Sequence, residues 1–270
     1  MRAVKYTVLL LLVDISLAHM ALISPCPRYN ARGLNCPQIP EGEEQDWTQI
    51  KPIGKAGQAY NPLCKHTIPT MTPSAVWTPG QTIKVQFQGL ASHSGGHGEF
   101  SISYDNATTF VVVHQELKYM FVDGPSHLSN KPTRMEYSIT LPESLPGANH
   151  AVFAWTWVNA SGNREFYMNC ADVKISGKPG SFTGRRMTVA NYGPDTPVIP
   201  EFYGDYNTGI NYYINSHNVT VIGYGSDEFE DLAYVASNGE GGKGNNNSDD
   251  IYNDENFHRT SIMHPDSYKR

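Results

Sequence analysis

The sequence predicts an all-β protein. Between residues 82 and 88, apolar side chains alternate strictly with polar ones, which is typical of a strand with one buried face. Further short runs rich in β-branched and aromatic residues follow, and Gly, Asn, Ser and Pro separate them. No segment shows the apolar period of a convincing amphipathic helix. Together these observations favour sheets joined by turns and loops.

The later apolar runs extend this pattern to residue 175. Several short strands separated by turns are typical of two antiparallel sheets packed face to face. We therefore expect one antiparallel β-sandwich of immunoglobulin-like or fibronectin-like kind, with long loops, over residues 19–178. The strands predicted after the first lie at residues 100–104, 110–113, 135–141, 151–157, 165–169 and 173–175.

The remaining segments differ in composition from these strands. Residues 20–80 carry Pro and Gly at short intervals, which predicts long loops packed on the sandwich. Residues 179–224 keep aromatic and β-branched side chains among Pro and Gly, and we expect an extended arm packed on or following the domain. Residues 225–270 are acidic and rich in Gly and Asn, which is typical of a solvated, disordered tail.

Residues 1–18 are typical of a secretory signal peptide. A basic start precedes an apolar core, and small residues end the segment at Ala18. The alternative, an uncleaved membrane anchor, is disfavoured because the apolar stretch is short and Asp14 interrupts it. Cleavage after Ala18 would make His19 the first residue of a secreted, extracellular protein. An N-terminal histidine offers an amine and an imidazole to a metal ion, although on position alone an ordinary surface residue beside the cut is the simpler interpretation of His19.

Composition excludes two classes of partner. The formal net charge of the full chain is −6, and no basic stripe of the kind that contacts phosphates is present, which argues against nucleic acid. No segment after residue 18 is apolar enough to predict a membrane span. About 250 residues remain after the signal, enough for one sizeable β domain or two small ones, and we expect a monomer.

Four cysteines follow the signal, so disulfide bonds are expected. Three pairings are possible, and we favour Cys26–Cys36, which closes a short loop, together with Cys64–Cys170. Four sequons for N-glycosylation fit a secreted protein, but such triplets also arise by chance. Their asparagines are Asn106, Asn159, Asn218 and Asn246.

Two histidines lie in a glycine-containing segment, residues 89–100, directly after the first predicted strand. His93 and His97 have glycines nearby, which allow the backbone to turn sharply. A histidine on such a loop is well placed to reach an open surface. The alternative is a polar loop in which either histidine is incidental.

A second group of polar residues lies on the strand before Cys170. Because side chains two apart share a face of a strand, Glu165 and Tyr167 are expected to project together. The alternative is a surface strand with a polar outer face. Trp155 and Trp157 are more simply explained as core residues than as sugar-stacking platforms.

Three segments carry a resemblance to a known family. The start HM at residues 19–20, the segment GLASHSGG at 89–96 and above all AWTWVNASGNREFYMNCA at 154–171 resemble the chitin-active fungal lytic polysaccharide monooxygenases of auxiliary-activity family eleven. The resemblance implies one copper ion held by a histidine brace, a set of three nitrogens from two histidines and the N-terminal amine. Neutral nitrogen ligands suit copper.

The family positions transfer residue by residue. The resemblance implies that His19 supplies an amine and a ring nitrogen and that His93, not His97, supplies the third nitrogen. His97 is an additional candidate ligand that the family pattern does not provide. It places Tyr167 at the axial position and Glu165 beside the copper as a second catalytic residue. Ala91 falls on the small residue that crowds the other axial position.

The function implied is oxidative cleavage of glycosidic bonds in crystalline polysaccharide, with chitin favoured and oxidation at the sugar C1. Such a reaction uses peroxide or dioxygen and an external electron donor. Two alternatives remain open on sequence: a secreted copper-binding or copper-delivery protein that retains the brace, and a noncatalytic polysaccharide-binding or coat protein. Replacing His93 by Ala would abolish copper binding in the enzyme and in the copper-binding protein. It would change nothing in the noncatalytic protein, so this substitution separates that alternative from the other hypotheses.

Overall fold

The computed structural model describes residues 19–125 and 130–226. The signal segment, Asn246 and nearly all of the acidic tail lie outside these residues. Within them, no helix has the length and apolar character needed to cross a membrane. The elements in chain order are β1 (Met20–Ser24), β2 (Gly54–Lys55), β3 (Gln58–Ala59), β4 (Ala75–Trp77), β5 (Thr82–Gly89), β6 (Gly96–Ser103), β7 (Val111–Glu116), β8 (Glu136–Thr140), β9 (Ala148–Asn159), β10 (Glu165–Ile175), β11 (Gly180–Arg185), α1 (Asn211–Ile214) and β12 (Asn218–Gly223).

The smaller sheet has the strand order β1-β5-β8, and both pairings are antiparallel. The alternation read from residues 82–88 is confirmed, because Ile83, Val85 and Phe87 are buried while Lys84 faces solvent. This sheet therefore covers the core with one face only, as antiparallel sheets commonly do.

The larger sheet has the order β3-β2-β10-β9-β6-β7, and β4 pairs with β10 in parallel. Its inner face packs on the smaller sheet around Phe100, Phe153 and Trp155. Its outer face carries a second apolar cluster, in which Val158, Phe166 and other sheet residues meet side chains of residues 187–213. The all-β sandwich predicted from the sequence is thus confirmed, and α1 is a single helical turn.

One sequence expectation needs correction. The first strand was missed within residues 20–80, because β1 is a short, continuously apolar run that ends directly before Pro25 instead of alternating. The alternation along β6 also left unpredicted that all of its residues are buried. The arm, residues 179–224, covers the polar side: Thr188 of the arm donates its backbone N–H to buried Glu99.

Two disulfide bonds hold the loops to this scaffold. Cys26 pairs with Cys36 and Cys64 pairs with Cys170, the same pairs that the sequence favours. The second bond ties the loop after β3 to the middle of β10, across a separation of 106 residues. It therefore fixes the long loop region against the strand that also carries Glu165.

Candidate metal centre

Five strand ends meet at one end of the sandwich. β1 begins there opposite the end of β5, with Met20 beside Gly89. In the larger sheet, β6 begins opposite the end of β9, with Gly96 beside Asn159, and β10 begins next to them. The side chains singled out in the sequence, although distant along the chain, are brought to this one end.

His19 comes directly before β1, and Gly89 sets its position. Gly89 has a φ of +143°, and a Cβ on it would overlap the carbonyl oxygen of His19. Only glycine allows the two backbones to approach so closely. The side chain of His19 remains 22% exposed, so its ring reaches the surface at the end of the sheet.

His93 lies in the loop between β5 and β6, in a strained backbone conformation. His93 has a φ of 45° and Ser94 a φ of 61°, values that cost about 1–3 kcal/mol each for residues other than glycine and persist only where surrounding contacts enforce them. Here the backbone N–H of His93 donates to Asn130 Oδ1 (2.8 Å), and its carbonyl accepts from the N–H of Ser161 (3.0 Å). The loop thereby holds the His93 ring toward His19.

The two imidazoles and a carboxylate form one cluster. The ring centroids of His19 and His93 are 5.3 Å apart, and His19 Nε2 lies 4.0 Å from Glu165 Oε2. One ligand atom from each of these three residues lies within 4.8 Å of the others. Such a group of nitrogen and oxygen donors can hold a metal ion.

Tyr167 completes the cluster from the same face of β10. Its hydroxyl donates to Glu165 Oε2 at 2.6 Å, and its ring centroid lies 5.5 Å from that of His19. Phe166 and Met168 point into the outer cluster instead, as the two-residue period of a strand requires. The alternative of a surface strand fails, because both faces of β10 are buried.

Burial sets the charge of these groups. Burial, assisted by the nearby charge of His19, lowers the pKa of His93 to about 4. Burial also lowers the pKa of His19, and the carboxylate of Glu165 partly opposes that shift. The pKa of Tyr167 is raised far above its usual range by burial and by Glu165. Both imidazoles are therefore neutral at neutral pH, as metal ligands must be, and the phenol keeps its proton.

One nitrogen of the cluster has an unsatisfied bonding capacity. His93 Nε2 is buried and makes no hydrogen bond within the described residues. A buried polar atom without a partner costs free energy. A ligand from outside the protein that binds this nitrogen would remove that cost. The donor set and this atom together fit a copper ion of the kind that the sequence resemblance implies.

Comparison with known proteins identifies a family for this chain. The family model described as "Lytic polysaccharide mono-oxygenase, cellulose-degrading" matches residues 26–173, more than half of the chain. This chain belongs to the lytic polysaccharide monooxygenase family. A curated relative, the AA11 family lytic polysaccharide monooxygenase A of Aspergillus fumigatus, is 36% identical over 189 residues, which are 68% of this chain and 79% of the relative. The resemblance to auxiliary-activity family eleven is thereby confirmed.

More distant relatives extend the comparison. An AA11 family lytic polysaccharide monooxygenase of Aspergillus oryzae is 32% identical over 52% of this chain, which spans about a third (34%) of that longer protein. Among solved structures, a cellulose-active polysaccharide monooxygenase from M. thermophila matches with a TM-score of 0.41 and 14% identity, covering 71% of this chain and 88% of that one.

Two further residues were expected near the metal, Ala91 and His97. Ala91 is buried in the β5–β6 loop, two residues before His93. His97 does not join the metal cluster, because both of its ring nitrogens are engaged on the outer face of the sheet. Its Nδ1 accepts from the N–H of Lys118 and its Nε2 bonds to the carbonyl of Thr208, each at 3.0 Å.

The sequence analysis did not identify several residues that lie at this end of the sandwich. Trp157, predicted only as a core residue, also lies beside both Tyr167 (4.8 Å between centroids) and His93 (5.8 Å). Arg164 donates to the carbonyls of Gly162, Asn159 and Pro200, which fixes the β9–β10 turn and joins it to the arm. Only the position of Arg164 beside Glu165 could have signalled it.

The candidate glycosylation sites differ in accessibility. Asn159 is 0% exposed, and its Nδ2 donates to the carbonyls of Ser161 and Asn163. Because a glycan attaches through this nitrogen, the folded chain leaves no room for one, and this sequon is not a usable site. Asn106 and Asn218 are exposed.

Proposed function

We propose that this chain is a secreted, copper-dependent lytic polysaccharide monooxygenase that cleaves crystalline polysaccharide, with chitin as the favoured substrate and oxidation at the sugar C1. The observation that carries the proposal is the cluster of two neutral histidines, one with an unpartnered buried nitrogen, beside a carboxylate bonded to a tyrosine. The family membership supplies the reaction class.

The residues that would hold copper are His19 and His93. His19 would contribute its ring and, once the bond after Ala18 is cut, its amine. The hydroxyl of Tyr167 faces the same cluster and would be a further protein group beside the copper. Bound copper, reduced by an external donor, supplies the one-electron redox chemistry that activates peroxide or dioxygen.

Glu165 would transfer protons and orient the oxygen species, and Tyr167 would hold the Glu165 carboxylate in position. The phenol O–H donates to Glu165 Oε2, and Asn163 Nδ2 donates to Oε1 at 3.4 Å. These two hydrogen bonds hold the carboxylate toward His19, within reach of a small molecule bound between the rings. A carboxylate so placed can accept or return a proton and orient an oxygen species. The indole of Trp157 packs behind the cluster and excludes water from that side.

The substrate assignment rests on kinship. The two Aspergillus relatives named above belong to the AA11 family. On sequence, this chain resembles that family as a chitin-active group, whereas the family model that matches it is described as cellulose-degrading. The cluster lies at the end of a sandwich, where its side chains reach the surface of strand ends and turns. A surface of this kind suits a monomeric enzyme that acts on the face of a crystalline polymer.

The test uses protein secreted with His19 verified as its first residue by intact-mass measurement. The copper-loaded protein is incubated with crystalline β-chitin, and in parallel with cellulose, in the presence of a reductant and limiting peroxide. Mass spectrometry should detect C1-oxidised chito-oligosaccharides that disappear on removal of copper. The His93→Ala variant, and a protein that retains Ala18 before His19, should release none.

Other outcomes assign the alternatives. Tight copper binding without oxidised products from either polymer would reject the enzyme and favour copper binding or delivery. Failure of the wild-type protein to bind copper would reject both and leave a noncatalytic polysaccharide-binding protein. C1-oxidised products from cellulose alone would keep the enzyme and reject chitin.

A further inference from the structure

A depression lies beside the candidate metal centre and belongs partly to the arm. Its volume is about 350 Å³, and its walls include Ser94 and Ser161 from the loops around His93 and Glu201 and Tyr203 from the arm. This volume falls at the lower end of the range of about 300–1,000 Å³ found for small-molecule sites. It suits one sugar ring with its substituents better than a longer segment.

The arm is fixed to the metal-centre loops by hydrogen bonds. The N–H of Phe202 donates to the carbonyl of Ala160 (2.9 Å), and Arg164 donates to the carbonyl of Pro200 (3.1 Å). The hydroxyl of Tyr206 donates to the carbonyl of Ser94 (2.9 Å), the residue after His93. The wall formed by the arm therefore keeps a defined position relative to His93.

Tyr203 presents an aromatic ring at the rim of this depression. It is 87% exposed, and no other large hydrophobic side chain in the described part of the chain is more exposed. Its φ of 46° lies in the left-handed region, which bulky residues rarely adopt. The turn around Gly204 thus projects the ring into solvent although neither packing nor backbone preference favours that arrangement.

Glu201 supplies a polar group on the same wall. Its Oε1 accepts a hydrogen bond from the backbone N–H of Gly162 at 3.3 Å. A carboxylate accepts several hydrogen bonds through its two oxygens, so Glu201 can accept a further one from a ligand. A pyranose ring offers an apolar C–H face for stacking on an aromatic ring, and its edge carries hydroxyl or amide N–H donors that a carboxylate accepts strongly.

We infer that Tyr203 and Glu201 form a sugar-binding subsite beside the metal centre, which holds one pyranose residue of the polysaccharide chain that is cut. The inference rests on the proposed function, since a chain lying across His19 and His93 would pass over this depression. The family model ends at residue 173, so the subsite comes from a segment outside that match. It would help to orient the substrate chain on the metal centre.

The test measures binding of copper-loaded protein to suspended β-chitin and to microcrystalline cellulose. Tyr203→Ala should weaken binding to the preferred polymer about tenfold, whereas Tyr203→Phe, which keeps the ring, should stay within about twofold of wild type. Glu201→Gln should weaken binding by a smaller factor, because the amide oxygen remains an acceptor. Copper affinity should be unchanged in all three variants.

The matched control is Tyr224→Ala. Tyr224 is 82% exposed but lies near the start of the twelve-residue strand β9, next to the bridge between Ala148 and Gly225. The metal centre lies at the other end of that strand, roughly 35 Å away at the usual rise per residue. This variant should bind both polymers as the wild type does.

The outcomes separate the subsite from the reaction. Equal binding by wild type, Tyr203→Ala and Tyr224→Ala would overturn the subsite even if oxidised products form. Absence of products, with binding still weakened by Tyr203→Ala alone, would reject the proposed reaction and keep the subsite. Wild-type protein that binds neither polymer would overturn the subsite directly.

Discussion

His93 and His97 lie four residues apart, and burial is the main cause that lowers the pKa of each imidazole to about 4, yet their surroundings differ. His97 packs between Phe202 and Tyr213 of the arm, with ring centroids 4.9 and 4.8 Å away and the rings tilted. Both of its nitrogens are hydrogen-bonded. His93 lies beside His19 and Trp157, and its Nε2 has no partner among the described residues.

The difference shows that burial and a lowered pKa do not by themselves identify a metal ligand. Both histidines satisfy those criteria, because any imidazole in an apolar environment favours its neutral form. The distinguishing feature is the use of the ring nitrogens. Both ring nitrogens of His97 form hydrogen bonds, one to Lys118 and one to the arm. Nε2 of His93 has no partner among the described residues and can bind a ligand from outside the protein.

The largest effect should come from His93→Ala. Changes in groups that merely support a ligand reduce metal affinity about 10–100-fold, so loss of a ligand itself should reduce copper affinity at least about thousandfold. The melting temperature of the metal-free protein should fall less than that of the His97→Ala variant described below, since the ring leaves a cavity beside Trp157 but its Nε2 has no hydrogen-bond partner to strip. Competition with a copper chelator and thermal unfolding measure the two quantities. Retention of tight copper binding would remove His93 from the ligand set.

His97→Ala should show the opposite pattern. The substitution leaves a cavity between Phe202 and Tyr213 and strips a partner from the Lys118 N–H and the Thr208 carbonyl, at a cost of about 3 kcal/mol. For a protein of this size the melting temperature should fall by roughly 6–12 °C. Copper affinity should remain within about threefold of wild type. Weaker copper binding without a loss of stability would instead make His97 a ligand.

Glu99→Gln should reveal a pH dependence of the same outer-face region. Burial raises the pKa of Glu99 to about 7, although hydrogen bonds from Thr188 and Gln115 oppose the shift. The folded chain thus binds this proton more tightly than the unfolded chain, so the contribution of Glu99 to stability falls as pH rises from about 5 through 7. The amide of the variant does not ionise, and Gln115 can rotate its own amide to match it.

The variant should therefore gain stability relative to wild type by about 2 kcal/mol between pH 5 and pH 8. Denaturant unfolding of the two metal-free proteins at both pH values gives this difference. The opposite slope that His97 contributes, from its lowered pKa, is common to both proteins and cancels. A constant difference between pH 5 and pH 8 would show that Glu99 is already ionised in the fold.

The sequence predicted the features that depend on the alternation of side chains along a single strand. Alternation identified the buried face of β5, and the two-residue period paired Glu165 with Tyr167 on β10. The alternation along β6 does not reveal that its polar side is buried as well, because the arm that covers this side is distant in the chain. Alternation reports which side chains share a face, but it cannot report what lies over that face.

Features that depend on contacts between distant segments were not predicted. Asn130, which holds the backbone of His93, has no local pattern that distinguishes it from any loop asparagine. Gly89 is one of many glycines, and only the approach of His19 from another strand explains it. The family resemblance located the side chains of the metal centre, whereas the groups that position them emerged from the three-dimensional structure.

The smallest expected effect tests whether the turn after β9 positions His93. Gly162 has a φ of +91°, and a Cβ on it would lie 3.3 Å from His93 Nδ1. Gly162→Ala should therefore displace the ring by a few tenths of an ångström and reduce copper affinity about tenfold, near 1.4 kcal/mol. Gly42→Ala is the matched control, because Gly42 has a φ of +88° with nothing within 4 Å of its Cβ position. It carries a similar backbone strain and should leave copper affinity unchanged. Equal loss of affinity in both variants would attribute the effect to general strain and not to the His93 ring.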